Sequence, residues 1–146
     1  MTKLNAKLAS AKLAARNMVL TAVFESAKQH ILEDSRPEIR VDLKTGELTH
    51  EDVKMVLNSE GFNLISIKDD GKTTIALNDY FKALQQARIK IDEILKNVVT
   101  EAFVHGKSEF RIDTERDVED QEEIKQYLEM LGYEVRAYNK TFFCKF

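Results

Sequence analysis

Residues 38–42 read Glu-Ile-Arg-Val-Asp, and residues 109–113 read Glu-Phe-Arg-Ile-Asp. In each stretch apolar and charged residues alternate. A strand with that pattern carries its oily side chains on one face and a Glu, an Arg and an Asp on the other. The two stretches lie 109 − 38 = 71 residues apart. Sliding 17–67 onto 88–138 at that offset, without a gap, also superimposes Glu51, Lys54, Leu57 and Gly61 on Glu122, Lys125, Leu128 and Gly132. Core character persists where identity does not. Val53 meets Ile124, Phe62 meets Tyr133 and Leu64 meets Val135. A fixed offset of this kind is the mark of a duplicated supersecondary unit.

Upstream of each strand runs a helical stripe with apolar residues at i, i+3, i+4 and i+7. It is Leu20, Val23, Phe24, Ala27 and Ile31 in the first copy, and Ile91, Ile94, Leu95, Val98 and Ala102 in the second. Downstream, Thr49 with Asp52 and Asp120 with Glu123 predict helix caps, each with an acid three residues on. Gly61 and Gly132 fall where a left-handed C-cap belongs. A hairpin closes each copy, turning at Asp69-Asp70-Gly71 and near Asn139-Lys140. The reading is an α+β fold, a tandem duplication of a helix–strand–helix–β-hairpin unit. Each copy would hold a three-stranded antiparallel sheet with packed helices. The expected division is 1–78 and 79–146, and units this small would pack on each other as one body or share sheets in an oligomer. Residues 78–88 contain no Pro or Gly, so the second copy should begin as a rigid helix.

Composition limits the function. The chain has 146 residues, 43% of them hydrophobic, with 22 Lys+Arg against 25 Asp+Glu, a net charge of −3. That is a globular composition rather than a disordered one. It is also far from the basic coat of a dedicated nucleic-acid binder. One Cys excludes a disulfide framework and a Cys-rich zinc site, and fits a reducing compartment. No apolar run is long enough for a membrane span. The first 20 residues spread Lys3, Lys7, Lys12 and Arg16 among apolar residues, which is a first helix rather than a signal peptide; a transit peptide has a similar pattern.

Motifs for nucleotide, serine or zinc-protease chemistry are missing, and the reading is of a protein that is not an enzyme and takes no cofactor. His30, His50 and His105 have no metal-ligand spacing and read as surface residues. Asp113, Glu115, Asp117 and Glu119 alternate like calcium-loop ligands. Val118 and Ile124, however, occupy the positions that need Gly and a closing Glu, so a solvated loop is the simpler expectation. Two surfaces are candidates for a partner. Lys3, Lys7 and Lys12 can share one side of the first helix. In the last strand Phe143 falls on Ile75, a core position, and Phe142 falls on Thr74, where the first copy is polar. Phe142 and Phe146, with Tyr138 nearby, then form an aromatic excess. Either they contact a partner, or they pack beneath the N-terminal helix.

The pattern Ile124-x-x-x-Leu128-x-x-Leu131-Gly132-Tyr133-x-Val135, followed by a short aromatic strand, resembles small accessory and virion proteins of tailed bacteriophages. It covers residues 109–146, with an echo over 38–77. The resemblance carries over no functional residue. It implies a non-enzymatic structural protein of a phage assembly that acts through protein–protein surfaces, against itself or a larger protein, in the host cytoplasm or the virion. A nucleic-acid-associated or host-regulatory binding protein is the alternative.

Overall fold

The structure is a computed structural model and describes residues 5–146. The chain divides into two compact units, residues 1–82 and 83–146. The first contains α1 (Ala6–Glu33), β1 (Glu38–Asp42), α2 (His50–Ser59), β2 (Asn63–Ile67) and β3 (Lys72–Ala76). Helix α3 (Asp79–Val104) begins at the end of that unit and runs into the second. There follow β4 (Glu109–Asp113), a 3-10 turn at Val118–Asp120, α4 (Glu122–Met130), β5 (Glu134–Tyr138) and β6 (Thr141–Lys145). The α+β reading and its two three-stranded antiparallel sheets are therefore found. The sheet orders are β1-β3-β2 and β4-β6-β5. In each unit the last strand enters between the first two and pairs antiparallel with both. The result is a split βαβ arrangement.

Helices cover one face of each sheet. In the first unit α1 lies against β1 and α2, and α2 lies against β2. Val23, Ala27, Ile39, Val53, Leu57 and Ile75 are buried there. Each large aliphatic among them contributes roughly 1.5–3 kcal/mol. Phe81, in the first turn of α3, stacks on Phe62 with ring centroids 5.9 Å apart. The Phe81 amide donates to Asn78 Oδ1 at 2.9 Å, so Asn78 caps α3 while its own Nδ2 donates to the Glu60 carbonyl at 3.0 Å. In the second unit Ile91 and Leu95 of α3 meet Ile112, Val118, Ile124, Leu128, Phe142 and Cys144 in one buried cluster.

The helix ends show what local sequence decides. Thr49 and Asp52 form the expected capping box. Asp52 N donates to Thr49 Oγ1 at 3.1 Å, and Thr49 N donates to Asp52 Oδ2 at 3.0 Å. Both second helices end in a Schellman motif. Phe62 N donates to the Leu57 carbonyl and Gly61 N to that of Asn58; Tyr133 and Gly132 repeat the pattern on Leu128 and Glu129. Gly61 and Gly132 supply the positive φ, 79° and 98°.

The expected cap at Asp120 does not form. Asp120 ends the 3-10 turn, and α4 starts at Glu122 behind Gln121, which makes no side-chain cap bond. The reason lies in Val118 and Gln121. Val118 is buried in the core, and its amide donates to the Asn139 carbonyl at 2.7 Å. Gln121 is also buried, donating from Nε2 to Thr114 Oγ1 and to the Arg116 carbonyl. Those anchors draw the preceding residues into a turn.

The gapless offset also breaks within the first hairpin. Strand β2 carries a bulge between Leu64 and Ser66, leaving Ile65 without a partner across the ladder. The β2–β3 turn is one residue longer than its copy, because Lys68 still pairs with Lys72 while Tyr138 pairs with Thr141. Two extra residues move the offset from 71 to 70 after the bulge and to 69 after the turn: Ser66 matches Arg136, and Thr74 matches Phe143. Gly71 in the longer turn has φ 92°, and a Cβ there would lie 2.6 Å from the Leu43 carbonyl oxygen.

Candidate interaction face of the second sheet

The corrected register reverses the aromatic pair. Phe142 is the structural match of Thr73, and both point inward. Phe142 is fully buried in its own unit, so it offers no surface to a partner. Phe143 is not a core residue; it points outward and is 40% exposed. A one-residue slip in a strand exchanges its two faces, which is why the expectation failed at both positions.

Phe146 and Tyr138 fare differently from Phe142. Phe146 follows the inward side of the alternation but is half-exposed, and it leans on Phe110 and Tyr133 with centroids 5.7 and 6.3 Å away. Its amide donates to the Ser108 carbonyl at 3.0 Å. Tyr138 is 70% exposed at the end of β5, on the outward side with Phe143.

The outward face of the second sheet forms three rows. Glu109, Lys145 and Glu134 lie side by side across β4, β6 and β5. Arg111, Phe143 and Arg136 form the next row, and Asp113, Thr141 and Tyr138 the third. Arg111 Nε and Asp113 Oδ2 are 3.7 Å apart, and Thr141 Oγ1 donates to Asp113 Oδ1 at 2.9 Å. The long edge side chains rise around Phe143 to bound a shallow trough of about 480 Å³. The same positions of the first sheet carry Glu38, Ala76 and Asn63, then Arg40, Thr74 and Ser66. The second copy thus places an aromatic between two arginines, where the first has Thr74 between Arg40 and Ser66.

The basic N-terminal face is only partly available. Lys3 lies outside the described residues. Lys7 is exposed on α1. Lys12 Nζ donates to Asp52 Oδ2 at 2.9 Å, and Arg16 approaches Glu60 at 3.8 Å, so both cations bind acids of their own unit. The Lys12 ammonium and the Thr49 amide hold the Asp52 carboxyl below its ordinary range.

Beneath the second sheet, Tyr127 OH donates to Asp92 Oδ1 at 2.5 Å, and Arg88 donates to Asp92 Oδ2 at 2.9 Å. Burial, then the Asp92 carboxylate, push the Tyr127 hydroxyl up to about 12. This network ties α3 to α4. The matching residues of the first unit are Asn17, Thr21 and Val56. Burial pushes the Cys144 thiol up to about 11, keeping it protonated at neutral pH. His50 and His105 are exposed, and His30 Nε2 lies 2.8 Å from the Arg36 carbonyl. Glu115, Asp117 and Glu119 are exposed around the buried Val118. Among the described residues no group of three or more His, Cys, Asp or Glu converges as metal ligands, and no helix is long and apolar enough to cross a membrane.

The outward row was within reach of sequence reasoning, because Phe143 alternates with Phe142. What hid it was the bulge at Ile65 together with the longer β2–β3 turn, which change the count between the copies by two residues where the placing of Phe143 on Ile75 assumes three. Comparison with family models, with curated proteins and with solved structures finds no match to this chain.

Proposed function

We infer that this is a non-enzymatic interaction protein, which works by burying the open face of its second sheet against another protein surface. The observation that carries this reading is the Arg111–Phe143–Arg136 row, set against Arg40–Thr74–Ser66 in the duplicate. Two copies of one unit share the demands of folding. An outward aromatic flanked by arginines in only one of them is not required by the fold. Aromatic residues and Arg are the groups that interface centres favour. The charges around Phe143 balance, with Glu109, Glu134 and Asp113 against Arg111, Arg136 and Lys145. A balanced face suits a protein partner better than a phosphate backbone, which rewards an excess of cations. The resemblance to tailed-phage accessory and virion proteins gives the kind of assembly, a structural component of the particle or of its construction in the host.

The test is a photoreactive phenylalanine analogue placed at position 143, with position 74 as control, in cells that naturally express the chain. Cross-links to polypeptide from 143, and none from 74, are expected. Cross-links from 143 to nucleic acid, or equal labelling from both positions, would overturn the reading in favour of a nucleic-acid-associated role or of no specialised face.

A further inference from the structure

The rows of the second sheet are complementary to themselves, and we propose that the partner seated on this face is a second copy of the same chain, related by a twofold axis. The inference rests on the interaction reading above and names its occupant. Along β4 the outward residues alternate Glu109, Arg111, Asp113, and along β5 they run Glu134, Arg136, Tyr138. Between them β6 carries Lys145, Phe143 and Thr141.

Two sheets packed face to face about a twofold must have the axis lying between them, in the plane of the interface. An axis along the strands would set Glu109 over the partner's Glu134 and Arg111 over the partner's Arg136. An axis across the strands through Phe143 would set each arginine over its own copy. Both arrangements pair like charges.

An axis across the strands, midway between the first two rows, does the opposite. Successive outward rows are about 6.8 Å apart, so the required shift from the Phe143 row is about half of that. Glu109 then faces the partner's Arg111, and Arg111 faces the partner's Glu109. Glu134 and Arg136 exchange in the same way. Lys145 comes over the ring of the partner's Phe143, a cation–π contact that is also made twice. Four ion pairs and two cation–π contacts therefore follow from one symmetry operation. The first sheet cannot repeat this, because Ala76, Asn63, Thr74 and Ser66 replace the central and second-edge partners.

The footprint sets the strength. Three strands of five residues span roughly 14 by 17 Å. That falls short of the area of a tight interface, so the dimer should be weak, reversible and salt-sensitive.

Sedimentation of the full chain over a concentration series tests this with charge-reversed variants. Arg111→Glu with Arg136→Glu should weaken self-association at least about tenfold, and so should Glu109→Arg with Glu134→Arg. Mixing the two variants should restore a heterodimer to near the wild-type affinity, and all four changes in one chain should restore the homodimer. Phe143→Thr should lose the dimer with no change of charge. A wild-type chain that stays monomeric to about 1 mM, or a dimer that ignores both reversals or is not restored on mixing, would overturn the twofold. A monomer whose position 143 still cross-links to a different polypeptide would sink the self-pairing alone and leave the interaction reading standing.

Discussion

Phe142 and Phe143 are adjacent and chemically identical, yet one is core and the other is surface. The difference is the parity of β6, and parity is set by the ladder to Ile112 and Arg111. The alternation of Phe142, Cys144 and Phe146 against Phe143 and Lys145 was legible from the strand itself. Which set faces the helices was not, because it depended on counting through a bulge and a turn that differ by two residues between the copies. Phe142 fills the place of the smaller Thr73 among Ile112, Ile124 and Leu128. Its removal leaves a cavity that these neighbours can close only in part. Phe142→Ala should cost about 3–5 kcal/mol in urea unfolding. A loss below about 1 kcal/mol would mean that Phe142 is not the inward residue.

At the scale of elements, the sequence was most informative where a short-range bond decides the structure. The capping box at Thr49 and the glycine C-caps need only residues a few positions apart. The same reasoning failed at Asp120, because a tertiary anchor overrides the local preference: Val118 is pulled into the core and Gln121 into the β4 loop. At the Thr49 end, one Asp52 carboxylate ties the start of α2 to α1, since Oδ2 accepts from the Thr49 amide and from Lys12 of α1. Its folded pKa is depressed, so its contribution is complete above the ordinary carboxylate range and fades as pH falls through the folded value. Asp52→Asn should therefore destabilise by about 1 kcal/mol at pH 7, with the gap to wild type closing toward pH 2. A gap that is constant over that range would remove the Lys12 pair from the account.

For the whole molecule, duplication acts as an internal control. Residues kept in both copies are the ones the unit needs to fold, such as Leu57 and Leu128 in the cores, and Gly61 and Gly132 at the helix ends. Residues found in one copy alone are where function has room. Arg88, Asp92 and Tyr127 are specific to the second unit but are spent on joining α3 to α4. Phe143 and Arg136, which stand where the first copy has Thr74 and Ser66, face outward and join nothing within the sheet's own core, while Arg111 keeps the place of Arg40. The sequence contained this contrast, although only the observed register assigns it to the correct phenylalanine.

The most direct measurement is Phe143→Thr, which installs the first unit's residue and is followed in parallel by urea unfolding and by sedimentation. Stability within about 1 kcal/mol of wild type, together with loss of association, is the predicted result. A drop of about 3 kcal/mol or more with association unchanged would place Phe143 in the core and contradict the account.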